Sequence, residues 1–127
     1  MPRVVHFEIQ AEQPERAIAF YSAVFGWRFP ECMDRYWGVV TGDEGEAGID
    51  GGLMPRRGPA PAPGAATNAF VCTVQVDDVE AYAEKAAAAG GEIVVPRMSI
   101  PGVGHSMYCV DTEGNIFGLH QPDPTAE

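Results

Sequence analysis

The sequence predicts an α+β fold in which one βαβββ module is used twice, and three observations carry that expectation. Two segments with period-two alternation each lead into an amphipathic helical stripe. Each stripe stops at a glycine and is followed by three short strand-like runs. The halves then align along the chain at one offset, the 65 residues that separate Gly26 from Gly91.

From Val5 to Gln10, Val5, Phe7 and Ile9 share one face and His6, Glu8 and Gln10 the other, the pattern of a half-buried strand. Pro14 sits where a first helical turn tolerates a missing N–H, and Ala17, Phe20, Tyr21 and Val24 form the stripe of a helix over Pro14 to Phe25 that closes at Gly26. Trp27 to Glu31, Tyr36 to Thr41 and Ile49 to Met54 read as three strands punctuated by Gly, Pro and Asp. Gly58 to Thr67, rich in Pro, Ala and Gly, reads as a connector between a first module at about residues 1–57 and a second at about 68–122. There Phe70 to Val76 alternates again. Asp77 with Glu80 resembles a capping box, and a helix over Asp78 to Ala89 carries Val79, Tyr82, Ala83 and Ala86 on one stripe. Gly90 and Gly91 end it, and Glu92 to Val95, His105 to Val110 and Asn115 to Gln121 complete the module. The offset of 65 sets Val71 on His6, Val74 on Ile9, Asn115 on Asp50 and Gly118 on Leu53.

At 127 residues and 46% hydrophobic content the chain suits one domain. Eighteen acidic residues against eight basic give a net charge of −10, which disfavours nucleic acid and anionic membranes as partners. The same field suits a cationic ligand, although acidic surfaces commonly serve solubility alone. The N-terminus lacks an apolar run of signal-peptide length and no membrane span is visible, so a cytoplasmic protein is expected. Cys32, Cys72 and Cys109 are odd in number and form no CxxC pair, which points to buried free thiols and not to disulfides or a zinc knuckle.

The ordered set HFEIQAEQPERAIAFYSAVFGWRF, VQVDDVEAYAEKAAAAGGEIVVP and DTEGNIFGL resembles the vicinal oxygen chelate superfamily, which groups glyoxalases, bleomycin-resistance proteins and extradiol dioxygenases. It is most similar to the branch of predicted enzymes related to lactoylglutathione lyase. The resemblance implies paired modules curled into a cupped, incomplete barrel of about eight strands with two outer helices, a small-molecule cleft, and a homodimer. Metal-dependent members place a ligand on the first and fourth strand of each module. The corresponding positions here are His6, Leu53, Val71 and Gly118, of which only the first offers a donor.

The resemblance therefore implies a small-molecule-binding protein without a catalytic metal or other cofactor. Glu8 and His6 are the candidate catalytic pair, about two strand steps apart on one face. Gln10, Leu53, Val71, Thr73, Gln75, Gly118 and His120 are the candidate ligand-binding positions, with solvation as the plain alternative for such a polar face. A divalent-metal lyase, isomerase or dioxygenase is a second reading. It needs His120, two residues beyond Gly118, or a one-residue register change that exposes Asp50, Cys72 or Asn115. Trp27, Tyr36, Trp37 and Phe117 could stack on a ligand or pack in the core. A drug-sequestering resistance protein, which the acidic charge suits, and a non-catalytic interaction module are also compatible with the resemblance.

Overall fold

The computed structural model describes residues 2–66 and 70–127. Its elements run β1 (Arg3–Ala11), α1 (Pro14–Phe25), β2 (Glu31–Met33), β3 (Tyr36–Val39), β4 (Gly51–Pro55), β5 (Val71–Gln75), α2 (Val79–Ala88), β6 (Glu92–Ile100), β7 (Gly104–Val110) and β8 (Ile116–Pro122). This is the expected α+β composition, with βαβββ read twice. The chain divides into two compact units: His6–Phe70, and Val71–Glu127 with residues 1–5.

In the unit His6–Phe70 the strand order is β2-β3-β4-β1, with β1 parallel to β4 and the other pairs antiparallel. In the other unit the order is β6-β7-β8-β5, with β5 parallel to β8. The two orders are the same once each strand is replaced by its counterpart, so the internal repeat is a repeat of pairing as well as of sequence. Parallel pairing of the first and last strands of a module requires a long crossover, which begins with the helix.

Pro14 starts α1 at a position that needs no N–H, and Gly26, at φ 73°, returns its N–H to the Ser22 carbonyl in the left-handed turn that ends the helix. The residue that caps α2 is Asp78, whose carboxylate accepts from the Ala81 N–H at 3.1 Å. The cap thus lies one residue beyond the expected Asp77, and Ala81 three residues on has no polar side chain to complete a capping box. Phe7, Ile9, Val39 and Leu53 form the core of the first unit, closed by Ala17, Ile18 and Tyr21 of α1. Val76, Val79, Ala83, Met107, Cys109 and Leu119 form that of the second, with Val74, Tyr82 and Ala86 against them. Phe7 and Val74 both face their following helices, as the repeat requires.

Several expectations are corrected. Phe20 and Val24 lie more than half exposed, and Ile18 takes the packing place assigned to them. The strand expected at Trp27 to Glu31 is reduced to a bridge between Arg28 and Val40, because Pro30 has no N–H to give a ladder; β2 forms beyond it. β6 runs five residues past Val95, and Pro96 is accommodated where the pairing with β7 slips between Val95 and Met98. Only Cys109 is buried, while Cys32 and Cys72 are exposed free thiols. The connector has neither helix nor strand from 58 to 66, and Thr67 lies outside the described residues. The DTEGN segment is a turn builder: the Asp111 carboxylate accepts from the Glu113 and Asn115 backbone N–H groups and from the Asn115 amide.

The most consequential correction concerns register. Glu8 pairs with Gly52 and Ile9 with Leu53, whereas Thr73 pairs with Gly118 and Val74 with Leu119. Thr73 stands 65 residues after Glu8, but Gly118 stands 66 after Gly52. The uniform offset therefore fails by one residue at the last strand, and a one-residue slip moves a side chain to the opposite face. Leu53 is not a lining position: it is fully buried in the apolar core beside Ile9 and Val39. Gly52 takes the place on the polar face.

Candidate functional site

On the polar face of the first unit, β1 presents His6, Glu8 and Gln10, and β4 places Gly52 directly opposite Glu8. Gly52 has no side chain, and the ring of Tyr36, arriving diagonally from β3, occupies the space that a Cβ would need; its hydroxyl and Cζ stand over the glycine. That seat brings three polar groups together. The Tyr36 hydroxyl lies 3.2 Å from His6 Nε2 and hydrogen-bonds the Glu8 carboxylate, while His6 Nε2 and Glu8 Oε2 are 3.9 Å apart. A carboxylate can only accept, so Tyr36 donates to Glu8 and accepts from the His6 Nε2–H, a directed chain His6 → Tyr36 → Glu8.

Burial sets the electrostatics. Glu8 is 8% exposed, an unusual position for a carboxylate that has to be compensated by such partners. Tyr36 is pushed well above its ordinary value near 10, first by burial and then by the charge of Glu8, so it stays a phenol and a donor at neutral pH. His6 is lowered from 6.5, because burial outweighs the attraction of Glu8 and Asp50 for its proton. The cluster therefore holds a neutral imidazole, a phenol and a buried carboxylate.

These shifts have signs that can be measured. Above about pH 10 an unfolded Tyr36 releases a proton that the folded protein retains, so this group's stabilising contribution falls as pH rises. Tyr36→Phe is expected to remove that alkaline slope, and the difference in ultraviolet titration between the two proteins should have its midpoint above 10. His6 acts in the opposite direction: its contribution is present above 6.5 and is lost as pH falls through its lowered value. An imidazole titration by NMR with a His6 midpoint at or above 6.5 would contradict the geometry.

The remaining expected positions distribute as follows. Gln10 follows Glu8 on the same face, half-buried, and its carbonyl accepts from Arg56 Nη2 at 3.0 Å. In the second unit Thr73 is buried opposite Gly118, with Tyr108 beside that glycine; this repeats the arrangement of Glu8, Gly52 and Tyr36 with a hydroxyl in place of the carboxylate. Val71 is half-buried and Gln75 exposed on that same strand face. His120 pairs with Gln75 and has its Nδ1 3.2 Å from the Ser106 hydroxyl. Trp27, Trp37 and Phe117 pack against the two cores.

A divalent ion requires about three protein donors converging on one point. The cluster supplies an imidazole and a carboxylate; the strand position across from Glu8 is a glycine filled by a phenol. Among the described residues no three His, Cys, Asp or Glu side chains come together in a way that could hold a metal. The donor set does not fit one.

Sequence reasoning missed the part played by Tyr36, treating it as a stacking or core residue. The signal was the Gly51-Gly52 pair inside a strand, since a glycine there marks a close approach. It also missed a second cluster, His105 with Asp123, Ser99 and Arg97, whose members gather only through the pairing of β6 with β7 and the chain beyond β8.

Comparison with known proteins gives this architecture a family. Residues 3–119 match the description Glyoxalase/Bleomycin resistance protein/Dioxygenase superfamily. The chain is 33% identical over 120 residues to "Putative glyoxylase CFP32" of Mycobacterium bovis and, equally, to its namesake in Mycobacterium tuberculosis; the match covers 92% of this chain and 43% of each relative. The chain thus spans less than half the length of the curated relatives it matches. Among solved structures it is similar to a superfamily member from Vibrio splendidus (TM-score 0.64, 16% identity, covering 97% of this chain and 100% of that one). It is also similar to methylmalonyl-CoA epimerase from Mycobacterium tuberculosis (TM-score 0.60, 18% identity, 95% and 88%). At those identities the structures share the fold. Matched over nearly its whole length, the chain belongs to the glyoxalase/bleomycin resistance protein/dioxygenase superfamily.

Proposed function

We propose that this protein binds a small carbonyl compound and moves a proton at the carbon beside the carbonyl, without a metal ion. The observation that carries the proposal is the buried Glu8 carboxylate, held between His6 and the Tyr36 hydroxyl. Removing such a proton needs a base and a donor for the oxygen on which charge develops. Glu8 is the base. Tyr36, kept as a phenol, turns its hydroxyl from Glu8 to the developing oxyanion, and His6 behind it supplies a hydrogen bond to the phenol oxygen. The family relationship supports a small-molecule ligand, and the epimerase among the structural neighbours makes an acyl thioester a sensible probe.

The test is deuterium exchange at the α-carbon of an acyl-coenzyme A thioester and of a glutathione–ketoaldehyde adduct, followed by NMR in the presence of a chelator. Wild type should catalyse exchange into one of them. Glu8→Gln should lose about 10²- to 10⁴-fold, the usual contribution of a positioned base. A folded wild type that neither exchanges either probe nor is stabilised by it in a thermal melt would overturn the proposal. A ligand at 100 times its dissociation constant gives about 2.7 kcal/mol of stabilisation, which is easily seen. Exchange that the chelator abolishes would replace the metal-free reading with the metal-dependent one.

A homodimer belongs to the same proposal. The exposed Phe20, Val24 and Phe25 of α1 form an apolar face that supports association. Light scattering that gives a monomer mass at micromolar concentration would refute it.

A further inference from the structure

The second unit carries a nucleophile cluster that the His6–Glu8–Tyr36 site does not use. His105 is 6% exposed and lies at the start of β7. Its Nε2 is 2.9 Å from Asp123 Oδ2, and its Nδ1 is 3.2 Å from the Ser99 hydroxyl, which faces it directly across the β6–β7 pair. Asp123 is held at a pKa of about 2 by hydrogen bonds from the Thr125 hydroxyl, from His105 and from the Thr125 backbone, so it is a carboxylate throughout the neutral range. A carboxylate only accepts; the Nε2 proton of a neutral His105 therefore points at Asp123, and Nδ1 is left as the acceptor for the Ser99 O–H.

Arg97 reaches the same ring nitrogen and shares its lone pair with Ser99. Its Nη2 lies 3.2 Å from Nδ1 and 3.4 Å from Nε2. Its Nη1 lies 3.9 Å from the Glu80 carboxylate. The slip in the β6–β7 pairing around Pro96 and Arg97 adjoins this cluster, and Arg97 and Ser99 share a strand face.

We propose that Ser99, His105 and Asp123 form a second reactive centre that accepts acyl groups from small activated esters. Nucleophile, base and orienting carboxylate stand in hydrogen-bonded series, and Arg97 is the adjacent cation for the developing oxyanion. The Ser99 Oγ forms a bond to the acyl carbon as its proton passes to His105 Nδ1. The ester C–O bond breaks, and the leaving alkoxide takes that proton. Water then repeats the sequence, releasing the carboxylic acid and restoring Ser99. Ser99 is exposed, so a small ester reaches it without an opened lid.

The experiment treats the full chain with a fluorophosphonate reagent and with p-nitrophenyl acetate, and locates any adduct by peptide mass spectrometry. One adduct on Ser99 is expected, absent in Ser99→Ala and formed at least about 10²-fold more slowly in His105→Gln, the scale of a lost general base. Asp123→Asn, which alters a partly exposed side chain, gives a second reading if His105→Gln does not fold by circular dichroism. An unlabelled wild type, an adduct elsewhere, or a Ser99 adduct formed at an unchanged rate in the folded variants would overturn the proposal. Because Glu8→Gln leaves this cluster intact, it should label at the wild-type rate, which separates this centre from the carbonyl site.

Discussion

Replacing Leu53 by Ala is expected to destabilise the protein by about 2 to 5 kcal/mol, the range for truncating a large side chain in a packed core. Leu53 has no exposed surface and packs with Phe7, Ile9 and Val39 under α1. Its neighbours lie on β1 and β3, on either side of β4, and cannot all close on the space left behind. The comparison that gives the result meaning is Phe20→Ala. That residue lies on the helical stripe the sequence suggests is buried, yet it is 58% exposed. Measured below the concentration at which chains associate, its loss should change stability by no more than about 0.5 kcal/mol. Urea unfolding with unchanged slopes would measure both. A cost below about 1 kcal/mol for Leu53→Ala would return that residue to the polar face and undo the register on which Gly52 and Tyr36 depend.

The same residues show how far the sequence reaches. Alternation along β1 and β5, and the stripes of both helices where they meet a strand, are local periodicities; they placed Phe7, Ile9 and Val74 correctly because burial enforces them along one segment. The repeat was legible for a related reason: two similar modules must solve the same packing problem. What a constant offset could not supply was the single residue gained between β5 and β8, since insertions in turns leave no periodic trace. One residue was enough to exchange Leu53 for Gly52 on the polar face. His6 and Glu8 were visible as a pair because they stand on one strand. Tyr36 was not, because its meeting with them depends on the β3–β4 register and on the absence of a side chain at Gly52. The Ser99, His105 and Asp123 cluster is assembled from a hairpin and the C-terminal segment, and no spacing in the sequence announces it. The exposure of Phe20 and Val24 has a further lesson: a helical stripe wider than the strand face beneath it leaves part of itself in water.

Gly52→Ala is expected to disrupt the candidate site more selectively than any change to its polar residues. The glycine does not adopt a positive φ, so its backbone alone imposes no need for glycine. The requirement is steric: a methyl group at residue 52 would collide with the hydroxyl and Cζ of Tyr36, which must then leave its seat. Overpacking of this kind costs about 1 to 3 kcal/mol. Displacing the phenol also breaks its hydrogen bonds to His6 and Glu8, so the His6 imidazole should titrate at a different pH in the variant, an effect read by NMR. The double-mutant cycle with Tyr36→Ala distinguishes the collision from a general weakness of the strand. With the ring removed, the three nearest contacts of the added methyl are gone and it lessens the entropy lost by a glycine, so Gly52→Ala should become neutral or stabilising by up to about 1 kcal/mol. A reversal of sign between the two backgrounds identifies Gly52 as the seat of Tyr36. An equal cost in both would mean that the strand needs glycine for another reason, and that the phenol is not held over Glu8 by this residue.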